Sequence, residues 1–112
     1  MKQSLLALML IPCALPALAE KPHPERLEHG RQVYLQTCSG CHDTGDSGAP
    51  LLSEPGQWSQ RSDLWEAVLF KHANEGYGLM PAEGGDPQLQ EYDVDAAAEY
   101  MMSEIFPERT TD

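Results

Sequence analysis

Apolar residues recur at three- and four-residue intervals in three stretches of the chain, and this spacing predicts three α-helices. The first runs from about residue 25 to 37, the second from 62 to about 74 and the third from about 90 to 105. Residues at this spacing share one face of a helix, so each stretch has a side that can be buried. No stretch alternates apolar and polar residues as a half-buried strand does, so the predicted fold class is all-α.

The apolar faces of these helices form the predicted core. Its members are Leu27, Gly30, Val33 and Tyr34 in the first helix, Leu64, Trp65, Val68 and Leu69 in the second, and Val94, Ala97, Ala98, Met101 and Ile105 in the third. Residues 43–50 and 83–87 are predicted loops, since Gly, Asp and Pro cluster there. Leu51, Leu52 and Trp58 lie between the first two helices and are predicted as apolar residues in irregular chain.

The N-terminal stretch has the composition of an export signal. Lys2 supplies a positive start, a mostly apolar run follows over residues 5–18, and residues 17–19 have the small-x-small pattern that precedes a cleavage site. Pro12 and Pro16 interrupt this run, which is short for a membrane span. The sequence therefore predicts a cleaved signal peptide and a mature protein in the bacterial periplasm, with no stable membrane insertion.

The remaining chain is predicted to form one small domain. Residues 1–19 are the signal peptide, 20–24 a linker, 25–106 the domain and 107–112 a C-terminal tail. A domain of this size buries a low fraction of its surface, and such domains commonly need a disulfide, a metal or another covalent staple.

The charge balance limits the partners that this domain can bind. The formal net charge is -11, and it becomes one unit more negative when Lys2 leaves with the signal peptide. Such a charge argues against binding nucleic acid and against adsorption to anionic membranes. It favours a partner protein that carries a basic docking patch.

Five consecutive residues, Cys38–His42, form the C-x-x-C-H pattern that attaches a c-type haem. Two thiols at this spacing can add to the two vinyl groups of one haem, and the adjacent histidine can then coordinate the iron. The motif predicts one haem c, covalently bound through Cys38 and Cys41, with His42 as an iron ligand. This haem would also act as the staple that a small core needs.

A C-x-x-C pair also occurs in thiol oxidoreductases and in zinc sites, which remain alternatives. A thioredoxin-like site lies within βαβ units, and the sequence predicts none. A structural zinc site usually needs a second pair of ligands, whereas His23, His29 and His72 are scattered along the chain. Export favours the haem interpretation, because bacteria attach haem covalently outside the cytoplasm.

The segment Gly76–Pro81, here called the Met80 loop, is rich in glycine and presents a methionine. A thioether is a soft ligand that suits the face of a haem opposite histidine. The glycines let the backbone approach the ring closely and take positive φ. Met80 is therefore the predicted second iron ligand, and His72 is the alternative donor.

These motifs together resemble the class I cytochromes c, and within that class the chain is most similar to the short bacterial cytochrome c-five group. The similarity extends from Gly30 to Met102. It includes the haem motif, Gly48-Ala49-Pro50-Leu51, the Met80 loop, Gly84-Gly85 and Ala98-Glu99-Tyr100-Met101. The resemblance implies a small fold with three main helices packed around one covalently attached haem.

The resemblance also implies a close crossing of the first and last helices. Gly30 and Tyr34 are expected on the first helix at this crossing, with Tyr100 opposite them on the last. A glycine suits such a position because two helix backbones approach closely there.

The resemblance also implies roles around the haem for three further residues. The carbonyl of Pro50 is expected to accept a hydrogen bond from Nδ1 of His42, which would orient the ring. Trp58 and Arg61 resemble a W-x-x-R pair at the haem, with Arg61 as a candidate partner of a buried propionate.

An iron with both axial positions occupied by His42 and Met80 has no room for substrate unless a ligand leaves. The predicted function is therefore electron transfer, one electron at a time, between redox partners, and the protein is not predicted to be an enzyme. It could also serve as a subunit of a larger oxidoreductase complex. The alternative is a haem protein with a labile sixth ligand, which binds small ligands or has peroxidatic activity.

Overall fold

The structure is a computed structural model that describes residues 7, 9–13, 23–59 and 65–107, with only the backbone described at residues 65 and 66. Within these residues the chain forms helices α1 Pro24–Val33, α2 Ser39–His42, α3 Pro55–Ser59, α4 Trp65–Glu75 and α5 Glu91–Ile105. A π-helical turn, Tyr34–Cys38, joins α1 to α2, and 3-10 turns lie at Asp46–Gly48 and Ala82–Gly85. The described part contains no strand, which confirms the predicted all-α class.

The most extensive helix packing is between α1 and α5, which cross at Gly30. A Cβ built on Gly30 lies 2.0 Å from the carbonyl oxygen of Ala96, so only glycine lets the two backbones meet. Tyr34 is 1% exposed, and its ring centroid lies 5.5 Å from that of Tyr100. The helix crossing that the resemblance implies is therefore confirmed.

Helix α5 supplies much of the core. Its predicted apolar stripe is buried, and the structure adds two residues that the prediction left out, Ala96 and Met102. The helix begins one residue after Gln90, whose backbone N–H donates to the Asp93 carboxylate at 2.9 Å. This bond closes the start of the helix as in a capping box.

The first helical stretch is longer and less regular than its sequence predicts. The prediction is one helix that ends near Thr37, whereas α1 begins at Pro24 and the helical path continues through the π-helical turn to His42. The N–H of Ser39 donates to the carbonyl of Tyr34, five residues back. A π-helical turn contains an extra residue and so changes which face the following residues present. The Cys38–His42 motif consequently lies on helical backbone.

The segment after the haem motif also differs from its prediction. Trp58 lies in the short helix α3 rather than in irregular chain, and this helix begins at Pro55, a residue suited to a first turn. Leu51 and Leu52 precede it and are half-buried. Helix α4 ends at Glu75, one residue beyond its prediction. Its predicted start at residue 62 and the predicted signal cleavage site lie outside the described residues.

Candidate functional site

A cavity of about 510 Å³ lies between the haem motif, α4, the Met80 loop and α5. Sites for cofactors and other small molecules usually measure about 300–1,000 Å³. The predicted site residues that line this cavity are Cys38, Cys41, His42, Pro50, Trp58 and Met80. The fold thus brings together residues that are far apart in the sequence. Arg61 lies outside the described residues.

His42 is buried, and its ring is oriented by a backbone carbonyl. Its Nδ1 lies 2.8 Å from the carbonyl oxygen of Pro50. A carbonyl oxygen can only accept, so Nδ1 carries the proton and the lone pair of the neutral ring is on Nε2. This is the tautomer that a metal-binding histidine needs when its other nitrogen is held by the protein.

Trp58 holds the segment that carries the Pro50 carbonyl. Its side chain is 6% exposed, and its Nε1–H donates to the carbonyl of Leu51 at 2.8 Å. The N–H of Leu51 in turn donates to Oε1 of Gln57 at 2.9 Å. The Trp58 ring lies 5.4 Å from the His42 ring and 28° from parallel. One aromatic residue therefore supports both the histidine ring and the neighbouring backbone.

A tyrosine–aspartate pair spans the haem motif. The Tyr34 hydroxyl, before the motif, donates a hydrogen bond to the Asp43 carboxylate directly after it. Burial and this carboxylate raise the pKa of Tyr34 well above its usual range, so the phenol remains a neutral donor. The sequence interpretation missed Asp43, because nothing in the spacing of these two residues indicates that they meet.

The two motif cysteines do not resemble a thiol redox pair. Both are half-buried at the cavity. The pKa of the Cys38 thiol is raised to about 11, mainly by burial and to a smaller extent by the neighbouring Cys41. Thiol oxidoreductases instead depend on a lowered pKa. Among the described residues, no group of three or more His, Cys, Asp or Glu side chains is placed to hold a metal ion.

The Met80 loop is closed by its own backbone. The N–H of Tyr77 donates to the carbonyl of Met80 at 3.0 Å, and the N–H of Met80 donates to the carbonyl of Tyr77 at 2.9 Å. Gly76 has φ of +86°, and a Cβ at this position would lie 2.9 Å from the backbone nitrogen of Ala82. Glycine is therefore required at the base of the loop. The half-buried Met80 side chain lines the cavity.

His72, the alternative donor, lines the same cavity from α4. Its ring is stacked on Tyr77, with 3.9 Å between centroids and 12° between the planes. The structure therefore brings both candidate donors, Met80 and His72, to one cavity. It also shows a contact between His72 and the Met80 loop that sequence spacing does not reveal.

The donors around this cavity fit a haem c. Two thiols three positions apart, an imidazole with its lone pair on Nε2 and a thioether all border one largely apolar space. Thioether attachment uses two thiols, and histidine with methionine is an established ligand pair for haem iron.

Within the described residues, no helix is long and apolar enough to cross a membrane.

Comparison with protein families gives a match over most of the domain. The model of a family described as "Cytochrome C oxidase, cbb3-type, subunit III" matches residues 25–101. Cytochrome c-551 from Halorhodospira halochloris is 44% identical over 80 residues, which cover 68% of this chain and 98% of the relative. Cytochrome c-555 from Chlorobaculum thiosulfatiphilum is 33% identical over 79 residues, covering 67% of this chain and 92% of the relative.

Solved structures show the same similarity. One is a chain from a crystal structure described as an electron transfer complex of nitrite reductase with cytochrome c, with a TM-score of 0.63 and 30% identity. The match covers 69% of this chain and 94% of that chain. Another is the reduced cytochrome c551 of Ectothiorhodospira halophila, with a TM-score of 0.55 and 37% identity, covering 66% of this chain and 96% of that chain.

Proposed function

We propose the haem-binding residues from one premise: the chain belongs to the class I cytochromes c, which transfer electrons through a covalently attached haem c. Cys38 and Cys41 form the two thioether bonds. His42 supplies one axial ligand of the iron and Met80 the other. The observation that supports these assignments is that all four side chains line one cavity of suitable size. The narrower similarity to the cytochrome c-five group is consistent with these relatives and stays a prediction.

On the histidine side, the protein holds the ligand in one orientation. The Pro50 carbonyl accepts a hydrogen bond from Nδ1–H of His42, which would direct Nε2 to the iron and make the imidazole a better donor. Trp58 stacks on the ring and limits its rotation. Arg61, three residues after Trp58 in the sequence, is the proposed partner of a haem propionate.

On the methionine side, Met80 supplies a neutral, soft donor. When bound, haem c supplies a one-electron couple between ferric and ferrous iron, and methionine opposite histidine raises its potential. His42 and Met80 would both hold the iron, and neither ligand would have to leave on reduction. The chain is therefore suited to electron transfer rather than to binding a substrate, and it is not an enzyme.

The partners are redox proteins, and we assign their contact to the rim of the cavity. Leu79 is 79% exposed there, and Asp46 is an exposed acidic residue that also lines the cavity. The negative net charge suits a partner with a basic patch around a small apolar contact. Interfaces of this kind are transient and usually bury less than about 1,200 Å². The rate of electron exchange with such a partner should fall as salt is added, since salt screens attraction between exposed charges.

The proposed location is the bacterial periplasm. Residues 1–19 serve as the signal peptide, residues 20–24 as a linker and residues 25–106 as the haem domain, followed by the tail 107–112. The support is the charged start, apolar run and small-x-small pattern of the N-terminus, together with the requirement that haem be attached after export.

The test is the absorption spectrum of the dithionite-reduced mature protein, produced with a haem-attachment system, before and after addition of carbon monoxide. We expect a c-type spectrum that the gas does not change, because His42 and Met80 close both axial positions. A c-type spectrum that shifts would instead assign the protein to the ligand-binding or peroxidatic class. A purified protein without covalent haem would instead support a thiol oxidoreductase or a zinc site at the C-x-x-C pair.

A further inference from the structure

Aromatic stacking attaches the exposed Met80 loop to the body of the protein. The ring centroids of His72, in α4, and Tyr77, in the loop, are 3.9 Å apart and the planes differ by 12°. The other ring pairs within the described residues are separated by 5.4 or 5.5 Å. The His72–Tyr77 stack is therefore a close contact between a helix and the loop that presents the iron ligand.

The described contacts of the loop outside this stack do not hold its tip. Leu79 is 79% exposed and Tyr77 64% exposed, so the tip buries little apolar surface of its own. The two backbone bonds between Tyr77 and Met80 close the turn but lie within the loop. The N–H of Gly76 donates to the carbonyl of His72 at 2.8 Å, which secures only the base.

The helix on the other side of the stack is itself anchored. Nδ2 of Asn74 donates to the Asp95 carboxylate of α5 at 2.8 Å and to the carbonyl of Phe70 at 2.8 Å. His72 lies half a turn from this anchor and borders the cavity. A contact path therefore runs from α5 through α4 and the stacked rings to the Met80 loop.

We propose that His72 and Tyr77 are positioning residues, whose stack keeps Met80 at the iron. This inference rests on the proposed role of Met80 as axial ligand. The stack does not supply a donor to the iron; it lowers the fraction of time that the loop spends away from the cavity. Loss of the stack would raise that fraction, while the rest of the fold would be retained because Tyr77 is mostly exposed.

Binding of imidazole to the ferric holoprotein measures this fraction. Imidazole reaches the iron only when Met80 has left, so its apparent affinity is its intrinsic affinity multiplied by the open fraction. Aromatic pairs contribute enough free energy that Tyr77→Ala should tighten imidazole binding roughly three- to tenfold. The ferric far-red sulfur-to-iron band should also disappear at a lower temperature in this variant.

Four further variants test the assignment. Tyr77→Phe keeps the stack and should bind imidazole as the wild type does. His72→Ala should match Tyr77→Ala, and combining the two should add little, because either change removes the same contact. Tyr92→Ala is the matched control, since Tyr92 is 53% exposed and stacks on His29 at 5.5 Å, away from the cavity. It should leave the imidazole affinity unchanged.

The positioning role is overturned if Tyr77→Ala binds imidazole no more tightly than the wild type, or if His72→Ala and Tyr77→Ala are fully additive. It is also overturned if His72→Ala alone abolishes low-spin ferric iron, which would make His72 a ligand. Failure of the ligand assignment has a different signature: the wild type would then lack the far-red band, or Met80→Ala would retain it.

Discussion

The two sides of the cavity hold their proposed iron ligands in different ways. On the histidine side, His42 is 7% exposed, lies on helical backbone and has its ring nitrogen held by the Pro50 carbonyl. On the methionine side, Met80 lies in a short turn whose neighbour Leu79 is 79% exposed. The first side is buried and supported by several bonds, whereas on the second Met80 is half-buried and the tip of its loop is exposed.

The two proposed iron ligands, His42 and Met80, therefore depend on different kinds of interaction. The histidine side depends on packing and hydrogen bonds that form with the core, so damage there should lower the stability of the whole protein. The methionine side depends on backbone conformation and on one stack, so damage there should release the ligand and leave the fold. Release of the ligand alone is a local opening, and local openings need less free energy than global unfolding.

Removing both haem-attaching thiols should have the largest effect. Cys38→Ala combined with Cys41→Ala should abolish covalent haem and most of the helical signal, since a domain this small relies on its prosthetic group. Circular dichroism and the haem content of the purified protein measure both losses. Cys13→Ala is the control, because Cys13 is exposed and lies in the proposed signal peptide. A stable, helical double variant without haem would contradict the prediction.

Met80→Ala should open the methionine side and leave the histidine side intact. The ferric far-red sulfur-to-iron band should vanish, the potential should fall because a ligand that favours ferrous iron is lost, and carbon monoxide should then bind. Absorption spectra and a redox titration record these changes. Met101→Leu is the control, since Met101 is buried in α5 and the exchange nearly conserves volume. An unchanged band in Met80→Ala would remove Met80 from the ligand set.

Gly76→Ala should weaken the methionine side without removing the ligand. The new Cβ would lie 2.9 Å from the Ala82 nitrogen, in a backbone with φ of +86°. Strain of this kind costs about 1–3 kcal/mol. The far-red band should therefore be lost at a lower temperature. Gly78→Ala, with φ of +58° and no atom within 4 Å of its Cβ, should have a smaller effect, and equal effects would argue against the close contact as the cause.

Trp58→Phe should have the smallest effect, on the histidine side. It removes the hydrogen bond from Nε1–H to the Leu51 carbonyl, and a lost neutral hydrogen bond costs about 1 kcal/mol. Denaturant unfolding of the holoprotein should show this loss in the free energy of unfolding. The temperature at which the far-red band is lost, corrected for global unfolding, should stay at its wild-type value. If this temperature falls as far as in Gly76→Ala, the two sides are coupled more tightly than proposed.

Much of the helical framework is predictable from local sequence. The apolar stripe of α5, with Val94 and Ile105 among its members, is buried as its spacing predicts. The helix crossing at Gly30 and Tyr34 follows from the resemblance and is present. Helix periodicity and capping depend on neighbours within a few residues, so one sequence carries these signals without knowledge of the fold.

Other local features could not be predicted because tertiary contacts decide them. The π-helical turn at Tyr34–Cys38 inserts an extra residue just where the motif must face the cavity, and no propensity in this segment indicates it. Trp58 lies in α3 and donates to the Leu51 carbonyl, although its surroundings predict irregular chain. In both places, packing around the cavity overrides a weak local preference.

The sequence by itself determined the chemistry available to this protein: a pair of thiols with an adjacent imidazole, a methionine in a glycine loop, and an acidic surface. These are properties of residue identity and short spacing. Only the tertiary structure decided that the Pro50 carbonyl meets His42, that Asp43 meets Tyr34 and that His72 stacks on Tyr77. Such contacts arise when helices and loops close on one another, because their geometry depends on the packing of the whole domain rather than on neighbours along the chain.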